Sequence, residues 1–262
     1  MSREIGNQGA LAGQYVLVTG ASEGIGLGIA KGMVEAGAAV MIAARRRPQL
    51  ELARKELLEL AAPGQQVEIA EVDIRDPESV CAMFELADRT FPTLNIFVAN
   101  AGSGSMVPFL EMTEQVWTNT IDLNLTGTFR CCHQAATRMA AREDKSENAA
   151  ILVLSSVRAL GTRPGTIHYA TTKAGLNQFV RVAAYELAEQ GVRVNALSPG
   201  ITATPMALER NPEVFERMAA TVPLGRAGSV EDMAAAAVFV CSPSAKFITG
   251  TNQIVDGGES LY

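Results

Sequence analysis

A regular alternation of strand-length apolar runs and helix-length segments is the feature that most constrains the fold of this chain. Strands that are apolar throughout, each followed by a helical stretch, are typical of a parallel sheet covered by helices on both faces. The sequence therefore predicts an α/β fold with a doubly wound, parallel, seven-stranded sheet. The predicted strands are Tyr15–Thr19, Ala39–Ala43, Val67–Val72, Asn95–Ala99, Ala150–Leu154, Val192–Leu197 and Gln253–Val255.

Segments of helical length fill the intervals between these strands. In the first of them, Ile25, Ile29 and Met33 recur at the spacing of one helical face. The length of the chain suits one large domain, so we predict a single domain over residues 1–262. An irregular stretch at 198–228 is predicted to be a substrate lid within that domain. The predicted helices are Gly26–Glu35, Gln49–Leu60, Glu78–Thr90, Glu114–Arg142, Tyr169–Glu189 and Val230–Val240.

Composition and charge exclude several classes of function. A net charge of −6 argues against nucleic acid as a partner. Four cysteines without a CxxC pair, and only two histidines, favour neither a metal site nor a disulfide framework. No apolar run approaches the roughly 18 residues of a membrane span, and the polar start of the chain has no secretory signal. We therefore expect a cytoplasmic protein with no membrane partner.

A glycine-rich loop follows the first predicted strand and opens the first predicted helix. Its glycines let the backbone turn tightly and approach a pyrophosphate, to which the helix N-terminus offers unpaired N–H groups. A plain tight turn is the alternative, but the position between strand and helix favours a dinucleotide site. The predicted cofactor contacts in this loop are Gly20, Ser22, Glu23, Gly24, Ile25 and Gly26.

The end of the second strand indicates which dinucleotide binds. An acidic residue at this place reads a free ribose 2′-hydroxyl, and an arginine reads a 2′-phosphate. Here the strand is followed by Arg45, Arg46 and Arg47, directly before the helix that Pro48 opens. Positive charges at a helix N-terminus are unfavourable for the helix dipole, so this position favours a bound anion. We predict NADP(H) in preference to NAD(H), read chiefly by Arg45. Glu23 opposes a phosphate, and a solvated basic patch is the alternative.

A tyrosine and a lysine four residues apart carry the predicted chemistry. Tyr169 and Lys173 lie on one face of a predicted helix, where an ammonium group stabilises the phenolate and lowers the pKa of the tyrosine from about 10. Ser156 ends the preceding strand, where its hydroxyl can polarise a substrate carbonyl. An exposed helix with an accidental Tyr–Lys pair is the alternative for this motif alone.

Further motifs occur in order along the chain. Asn100-Ala101-Gly102 follows the fourth predicted strand, Asn124 lies in an Asp-Leu-Asn-Leu run, and Pro199-Gly200 follows the sixth strand. From about Tyr15 to Gly258 the sequence resembles the short-chain dehydrogenase/reductase family, through its TGxxxGxG and YxxxK motifs. The resemblance implies a Rossmann-type fold and a nicotinamide-dependent oxidoreductase acting on an alcohol or a ketone.

The resemblance also implies roles for individual residues. Tyr169 is then the catalytic acid/base, Lys173 lowers its pKa and binds the nicotinamide ribose, Ser156 orients substrate, and Asn124 holds a relay water unless it is an ordinary helix residue. Asp73 is either an adenine contact or only a turn cap. The further implied cofactor contacts are Asp73, Ile74, Asn100, Ala101, Gly102, Tyr169, Lys173, Pro199, Gly200, Ile201 and Thr204.

We therefore expect hydride transfer between NADP(H) and a small-molecule secondary alcohol or ketone, by a carbonyl or 3-oxoacyl-type reductase. One alternative is an NAD-dependent dehydrogenase of a sugar, steroid or cyclic alcohol. The alternative from another class is a non-catalytic, dinucleotide-sensing scaffold. Arg158 and Arg163 in a predicted pocket wall favour an acidic or acyl-carrier substrate unless they are surface charges. The resemblance implies a homotetramer or a homodimer.

Overall fold

One parallel sheet forms the centre of the molecule. The structure, a computed structural model, describes residues 9–210 and 212–261, without the side chains of Met206, Glu209 and Arg210. The strands are β1 (Tyr15–Thr19), β2 (Ala39–Ala44), β3 (Val67–Glu71), β4 (Ile96–Ala99), β5 (Ala150–Leu154), β6 (Arg193–Pro199) and β7 (Asn252–Val255). They lie in the order β3-β2-β1-β4-β5-β6-β7. The winding direction reverses between β1 and β4, where a crevice opens beyond the carboxyl ends of the strands.

Helices cover the sheet on both sides. They are α1 (Gly24–Glu35), α2 (Arg47–Leu60), α3 (Pro77–Thr90), α4 (Glu114–Ile121), α5 (Thr128–Ala140), α6 (Ile167–Leu187), α7 (Pro205–Arg210), α8 (Pro212–Ala220) and α9 (Val230–Cys241). Helices α1, α2 and α9 contribute to the core on one face, and α3, α5 and α6 to the core on the other. Within the described ranges, the helices are all too short or too polar to cross a membrane.

The strands are apolar throughout because each of their faces packs against helices. In β1, Val16 and Val18 belong to one core and Leu17 to the other, and all three are fully buried. The same alternation places Ile96 and Phe97 of β4 on opposite faces. The predicted doubly wound seven-stranded sheet in a single domain is therefore confirmed.

The predicted helix Glu114–Arg142 is wrong as one continuous element. It consists of α4, a π-helical turn at Asp122–Gly127, and α5. A π turn adds one residue to the repeat and leaves backbone groups outside the α-helical hydrogen-bond pattern, and such turns are frequent at functional sites. The turn contains Asn124, which is fully buried.

The stretch 198–228 is also more regular than expected. It contains the two short helices α7 and α8, which begin at Pro205 and Pro212. Proline is favoured at the first helical position because its ring fixes φ and its missing N–H has no partner there in any case. The prolines were the available signal for these helices, and the prediction of an irregular segment did not use them.

Candidate active site

A glycine-rich turn links the carboxyl end of β1 to the N-terminus of α1. Gly20 has a φ of 66°, in the left-handed region that favours glycine, and a Cβ atom there would lie 2.7 Å from Ala101 Cα. A Cβ atom on Gly26 would lie 2.4 Å from Gly20 O and 2.3 Å from Asn100 Nδ2. The close approach of backbone to backbone therefore requires glycine at both positions.

Asn100, directly after β4, fastens this turn to the neighbouring strand. Its Nδ2 donates to Thr19 O at 3.0 Å and to Gly20 O at 2.9 Å. Its backbone N–H donates to Thr19 Oγ1 at 3.2 Å. The shape of the glycine loop is thus fixed by a side-chain amide from the next strand of the sheet.

The N-terminus of α1 opens into the space beyond this loop. Glu23 is the residue before the helix, and its side chain makes no capping hydrogen bond to the first turn. Its carboxylate instead accepts a hydrogen bond from Arg46 Nη2 at 2.9 Å. The helix N–H groups and dipole therefore remain available to an anion, and the charge of Glu23 is compensated.

A cavity of about 440 Å³ lies beyond the carboxyl ends of β1, β2 and β4. We call it the glycine-loop cavity, because its wall contains the whole run Gly20–Gly26 apart from Ala21. Of the predicted cofactor contacts, those that do not line it are Lys173, Pro199, Gly200 and Ile201. Residues from distant parts of the chain thus meet at the predicted place.

The three arginines after β2 have different surroundings. Arg46 is paired with Glu23, and Arg47 with Glu51 at 3.0 Å. Arg45 lines the glycine-loop cavity, is exposed, and makes no ion pair with any residue that the structure describes. Arg45 is therefore the one of these three arginines without an ion pair among the described residues, although its charge helps to lower the pKa of Asp73 on the adjacent wall.

Asp73 lies on the adjacent wall with its carboxylate already engaged. Arg75 donates to it through Nε at 3.0 Å and through its backbone N–H at 3.0 Å. The hydrogen bond from the Arg75 guanidinium lowers the pKa of Asp73 to about 2. Ile74 beside it is buried and approaches Gly127 of the π turn. Asp73 thus lines the cavity, and its hydrogen bonds with Arg75 also hold the turn from Asp73 to Arg75.

A second cavity, of about 460 Å³, lies beyond β5 and β6. We call it the tyrosine cavity, because Tyr169 lines it together with Ser156 and Lys173. Tyr169 lines the glycine-loop cavity as well, so the two spaces meet at its side chain. Ser156 and Lys173 are buried, and the serine hydroxyl accepts a hydrogen bond from Arg158 N at 3.1 Å.

Burial shifts both titrating groups of this pair toward their neutral forms. It raises the pKa of Tyr169, an effect opposed by the hydrogen bond to Ser156 and by the charge of Arg158. Burial also lowers the pKa of Lys173 to about 8. Lys173 Nζ lies 5.5 Å from the centroid of the tyrosine ring and donates to Leu154 O at 2.6 Å. Ser156 and Arg158, and not Lys173 as the sequence led us to expect, oppose the effect of burial on the pKa of Tyr169, and burial outweighs them.

Asn124 lies behind the tyrosine cavity and clamps the loop that follows β4. Its Oδ1 accepts from Ser103 N at 3.0 Å, and its Nδ2 donates to Ser103 O at 2.8 Å. The same Nδ2 donates to Thr172 Oγ1 at 3.3 Å, on the helix that carries Tyr169 and Lys173. Asn124 therefore connects the π turn, the Ser103 loop and α6.

The segment after β6 contacts both cavities. Pro199 and Gly200 line the tyrosine cavity, and Thr204 lines the glycine-loop cavity. Ile201 lines neither; its N–H donates to Glu259 Oε2 at 2.7 Å. The other oxygen of Glu259 is paired with Arg158 of the tyrosine cavity.

Comparisons with known proteins agree with this geometry. The family model described as enoyl-(acyl carrier protein) reductase matches residues 20–260. The chain is 35% identical over 254 residues to the 3beta-hydroxysteroid dehydrogenase 1 of Eggerthella lenta, covering 96% of this chain and 95% of that protein. It is 36% identical over 242 residues to the 3-oxoacyl-[acyl-carrier-protein] reductase FabG of Staphylococcus aureus (strain Mu50), covering 92% and 96%.

A solved structure has the same fold over nearly its whole length. The crystal structure of a short-chain type dehydrogenase/reductase from Mycobacterium marinum superposes with a TM-score of 0.88 at 29% identity, covering 96% of this chain and 97% of that one. The chain belongs to the short-chain dehydrogenase/reductase family. It is accordingly an oxidoreductase acting on CH–OH or C=O groups, with a nicotinamide cofactor.

The residues of this short-chain dehydrogenase/reductase fit a nicotinamide dinucleotide. A Cβ atom on Gly26 would collide with the loop, and the uncapped first turn of α1 presents N–H donors beside it. Arg45 adds a cation at the far end of the glycine-loop cavity, and Tyr169 lies where this cavity joins the second one. The chain thus offers donors for phosphate at one end and a proton donor at the other.

Several contacts within the site, and the residues Thr172 and Glu259, were not predicted from the sequence of this family member. Ser103 and Thr172 bind Asn124, and Glu259 joins Arg158 to the backbone of Ile201. These contacts join segments far apart in the chain, and no local pattern marks them. A carboxylate directly after the Asp256-Gly257-Gly258 run was the available signal for Glu259, and it identifies no partner.

His168 precedes Tyr169 and is fully buried, but it lines neither cavity. Its Nε2 lies 3.1 Å from Ser105 Oγ, and burial lowers its pKa. The neutral imidazole therefore packs beneath the loop of the tyrosine cavity. This placement gives His168 a structural role in the first turn of α6.

Proposed function

We propose that this protein is an NADPH-dependent carbonyl reductase in which Tyr169 is the proton donor. One observation carries the proposal: Tyr169 lies at the junction of the two cavities and lines the tyrosine cavity together with Ser156. A reacting carbonyl beside Tyr169 is then adjacent to the space that fits the dinucleotide. The proton donor and the cofactor are therefore adjacent to the same carbonyl group.

The side chains of the tyrosine cavity divide the work of carbonyl reduction. The dinucleotide, when bound, supplies the hydride that the carbonyl carbon receives. Ser156 donates a hydrogen bond to the carbonyl oxygen and holds it against the phenol. Tyr169 gives its proton to that oxygen as negative charge develops there. Burial raises the pKa of Tyr169 and so keeps the phenol protonated before the reaction, which a proton donor must be.

Lys173 and Asn124 complete the catalytic set that we propose. The Lys173 amine, whose pKa burial lowers to about 8, is positioned to bind the ribose hydroxyls and to return a proton to Tyr169. Asn124 lies in the π turn, and we propose that it supports the proton relay behind Lys173. Its side chain holds Ser103, which lines both cavities.

NADP(H) is the proposed cofactor because of Arg45. This guanidinium lines the glycine-loop cavity without an ion pair to any described residue, whereas Glu23 is neutralised by Arg46. A 2′-phosphate therefore meets an available cation and no free carboxylate. The relative from Staphylococcus aureus is a 3-oxoacyl-[acyl-carrier-protein] reductase, which supports reduction of a ketone or 3-oxoacyl group here.

The direct test is titration of the protein with NADPH and NADH, followed by fluorescence. We expect tighter binding of NADPH, and in Arg45→Gln a loss of about 10- to 100-fold in NADPH affinity with NADH little changed. Arg47→Gln is the matched control, because Arg47 is paired with Glu51 and does not line the cavity. Equal binding of both cofactors to the wild type contradicts the NADPH assignment and favours alcohol oxidation with NAD.

The segment 198–228 is proposed as a lid over both cavities. Thr204 and Pro205 line the glycine-loop cavity, and Gly200 and Ala207 line the tyrosine cavity. A bound dinucleotide would therefore contact the segment directly. We expect NADPH to protect Arg217, an exposed residue of α8, from trypsin; an unchanged rate of cleavage would contradict the lid.

A homotetramer or homodimer is the proposed assembly. Phe129 on α5 and Tyr185 on α6 are 50% and 86% exposed, and Phe239 on α9 is 51% exposed. Large apolar side chains on helix faces are typical of surfaces that a second copy covers. Sedimentation equilibrium measures the mass directly, and a monomer at micromolar concentration would contradict the proposal.

We propose a cytoplasmic location. Cys131, Cys132 and Cys241 are buried free thiols, and Cys81 is an exposed one. Free thiols persist in a reducing compartment. Cell fractionation with an antibody against the protein checks this, and recovery outside the cytosolic fraction would contradict it.

A further inference from the structure

The charges around the tyrosine cavity are of one sign. Among its lining residues are Arg158, Arg163 and Lys173, and the described lining contains no carboxylate. Half of the cavity wall comes from loops that the proton-transfer chemistry does not use. The charge of these loops therefore requires a separate explanation.

Two of the three cations are already accounted for. Arg158 forms an ion pair with Glu259, and the two side chains are 22% and 15% exposed. Lys173 is buried, donates to Leu154 O, and belongs to the proposed proton relay. Neither group is free to recognise the charge of a substrate.

Arg163 differs from both. It is half-buried in the cavity wall and makes no ion pair or side-chain hydrogen bond with any residue whose side chain the structure describes. A guanidinium has the geometry to bind a carboxylate through two parallel hydrogen bonds. A partly desolvated cation of this kind is stabilised by an anion from outside the chain.

The backbone that carries Arg163 is held in place. Thr166 Oγ1 donates to Arg163 O at 2.7 Å, which closes a tight turn. Val107 N donates to Gly165 O at 2.9 Å and joins this turn to the loop that forms the opposite wall. The side chain therefore projects from a fixed part of the cavity wall.

We propose that the substrate is an oxo acid whose carboxylate pairs with Arg163 while its ketone lies between Ser156 and Tyr169. The inference rests on the proposed carbonyl reduction and specifies its substrate class. The ketone gains a hydride with its electron pair at carbon from NADPH and a proton at oxygen from Tyr169, giving a hydroxy acid and NADP⁺. Arg163, Ser156 and Tyr169 line the same cavity, so one molecule that carries both a carboxylate and a ketone can contact all three.

The test uses matched pairs of acids and esters. The full-length protein with NADPH is assayed with 2-oxo-, 3-oxo- and 4-oxopentanoate, each beside its methyl ester, which removes the charge and keeps the ketone. We expect at least one acid to be reduced with a kcat/KM about 10- to 100-fold higher than that of its ester.

Variants of Arg163 assign that preference to one side chain. In Arg163→Gln we expect the KM of the preferred acid to rise about 10- to 100-fold with kcat little changed, and the ester to be unaffected. Arg163→Lys should restore part of the loss because it keeps the charge. Arg181→Gln on the exposed side of α6 is the matched control and should behave as wild type.

The outcomes separate this inference from the proposed function. Reduction of esters with equal or greater kcat/KM than acids overturns the inference and leaves carbonyl reduction standing. An acid preference that persists in Arg163→Gln also overturns the assignment. Failure to reduce any acid, ester or neutral ketone overturns the proposed function, and the substrate class with it.

Discussion

The glycine-loop cavity and the tyrosine cavity meet at Tyr169 but are built differently. The first is shaped by backbone: the turn at Gly20, the close packing at Gly26, and an uncapped helix N-terminus. The second is lined by functional side chains on loops and on α6, several of them buried or charged. A backbone-shaped site recognises what many ligands share, whereas a site of loop side chains can be altered one residue at a time.

The comparison predicts that the first cavity is most sensitive to added backbone bulk. In Gly26→Ala the new Cβ atom would lie 2.4 Å from Gly20 O, so the loop must move. We expect at least about a 100-fold loss in affinity for NADPH and a destabilisation of about 1–3 kcal/mol. Both are measured by cofactor titration and urea unfolding.

Gly175→Ala on α6 is the control for that change. A Cβ atom there would lie 3.5 Å from Leu125 Cδ1, an ordinary contact, and alanine favours the helix. We expect unchanged cofactor affinity and equal or greater stability. Equal behaviour of the two variants would contradict a backbone-built cofactor site.

The second cavity should respond to loss of a single polar side chain. Asn124→Ala removes both hydrogen bonds to the Ser103 backbone and the bond to Thr172. We expect kcat to fall by about 10- to 100-fold, because loop and helix lose their fixed spacing, with a stability loss of about 1–2 kcal/mol. Steady-state kinetics and thermal unfolding measure the two effects.

Thr172→Val separates the two parts of this clamp. It removes the Thr172 hydroxyl and keeps the two bonds between Asn124 and Ser103. We expect a smaller loss of kcat than in Asn124→Ala. An equal loss would mean that Asn124 acts through α6 and not through the loop, and a larger one would point to the bond from Thr172 Oγ1 to Tyr169 O, which this variant also removes.

The buried charge of the second cavity predicts a pH dependence of stability. The pKa of Lys173 is about 8 in the folded protein and 10.5 in the reference state, so between these values the unfolded chain binds more protons. Raising the pH through this window therefore favours folding, because the cost of burying the ammonium, complete below pH 8, is progressively removed.

The measurement compares the wild type with Lys173→Met in the absence of cofactor. The unfolding free energy of the wild type, relative to the variant, should rise by up to about 1.4 kcal/mol per pH unit within the window. A difference that stays flat or falls between pH 8 and 10.5 would contradict a buried lysine with a lowered pKa.

The difference between the two cavities also explains which parts of the fold and of the site could be predicted from the sequence. Strands and the glycine loop follow from local patterns, because a strand covered on both faces is apolar along its length and a loop packed on itself requires glycine. The predicted and observed bounds of β1 and β5 are identical. Most of the lining of the glycine-loop cavity could therefore be predicted from the sequence.

The side-chain contacts of the tyrosine cavity were not foreseen. The Arg158–Glu259 pair joins residues 101 positions apart, and in the π turn at Asp122–Gly127 the side chain of Asn124 binds Ser103, 21 positions away. The sequence predicted a pocket wall that contains Arg163 but left open whether this residue is a surface charge; in the folded chain it lines the tyrosine cavity.

We propose that Tyr169 supplies the proton at the junction of the two cavities. It is tested most directly by comparing the turnover of a reducible ketone with NADPH in the wild type and in Tyr169→Phe, together with the NADPH affinity of both proteins. In Tyr169→Phe we expect kcat to fall by about 10²- to 10⁴-fold while the affinity for NADPH is retained. Turnover near the wild-type rate in Tyr169→Phe would contradict it.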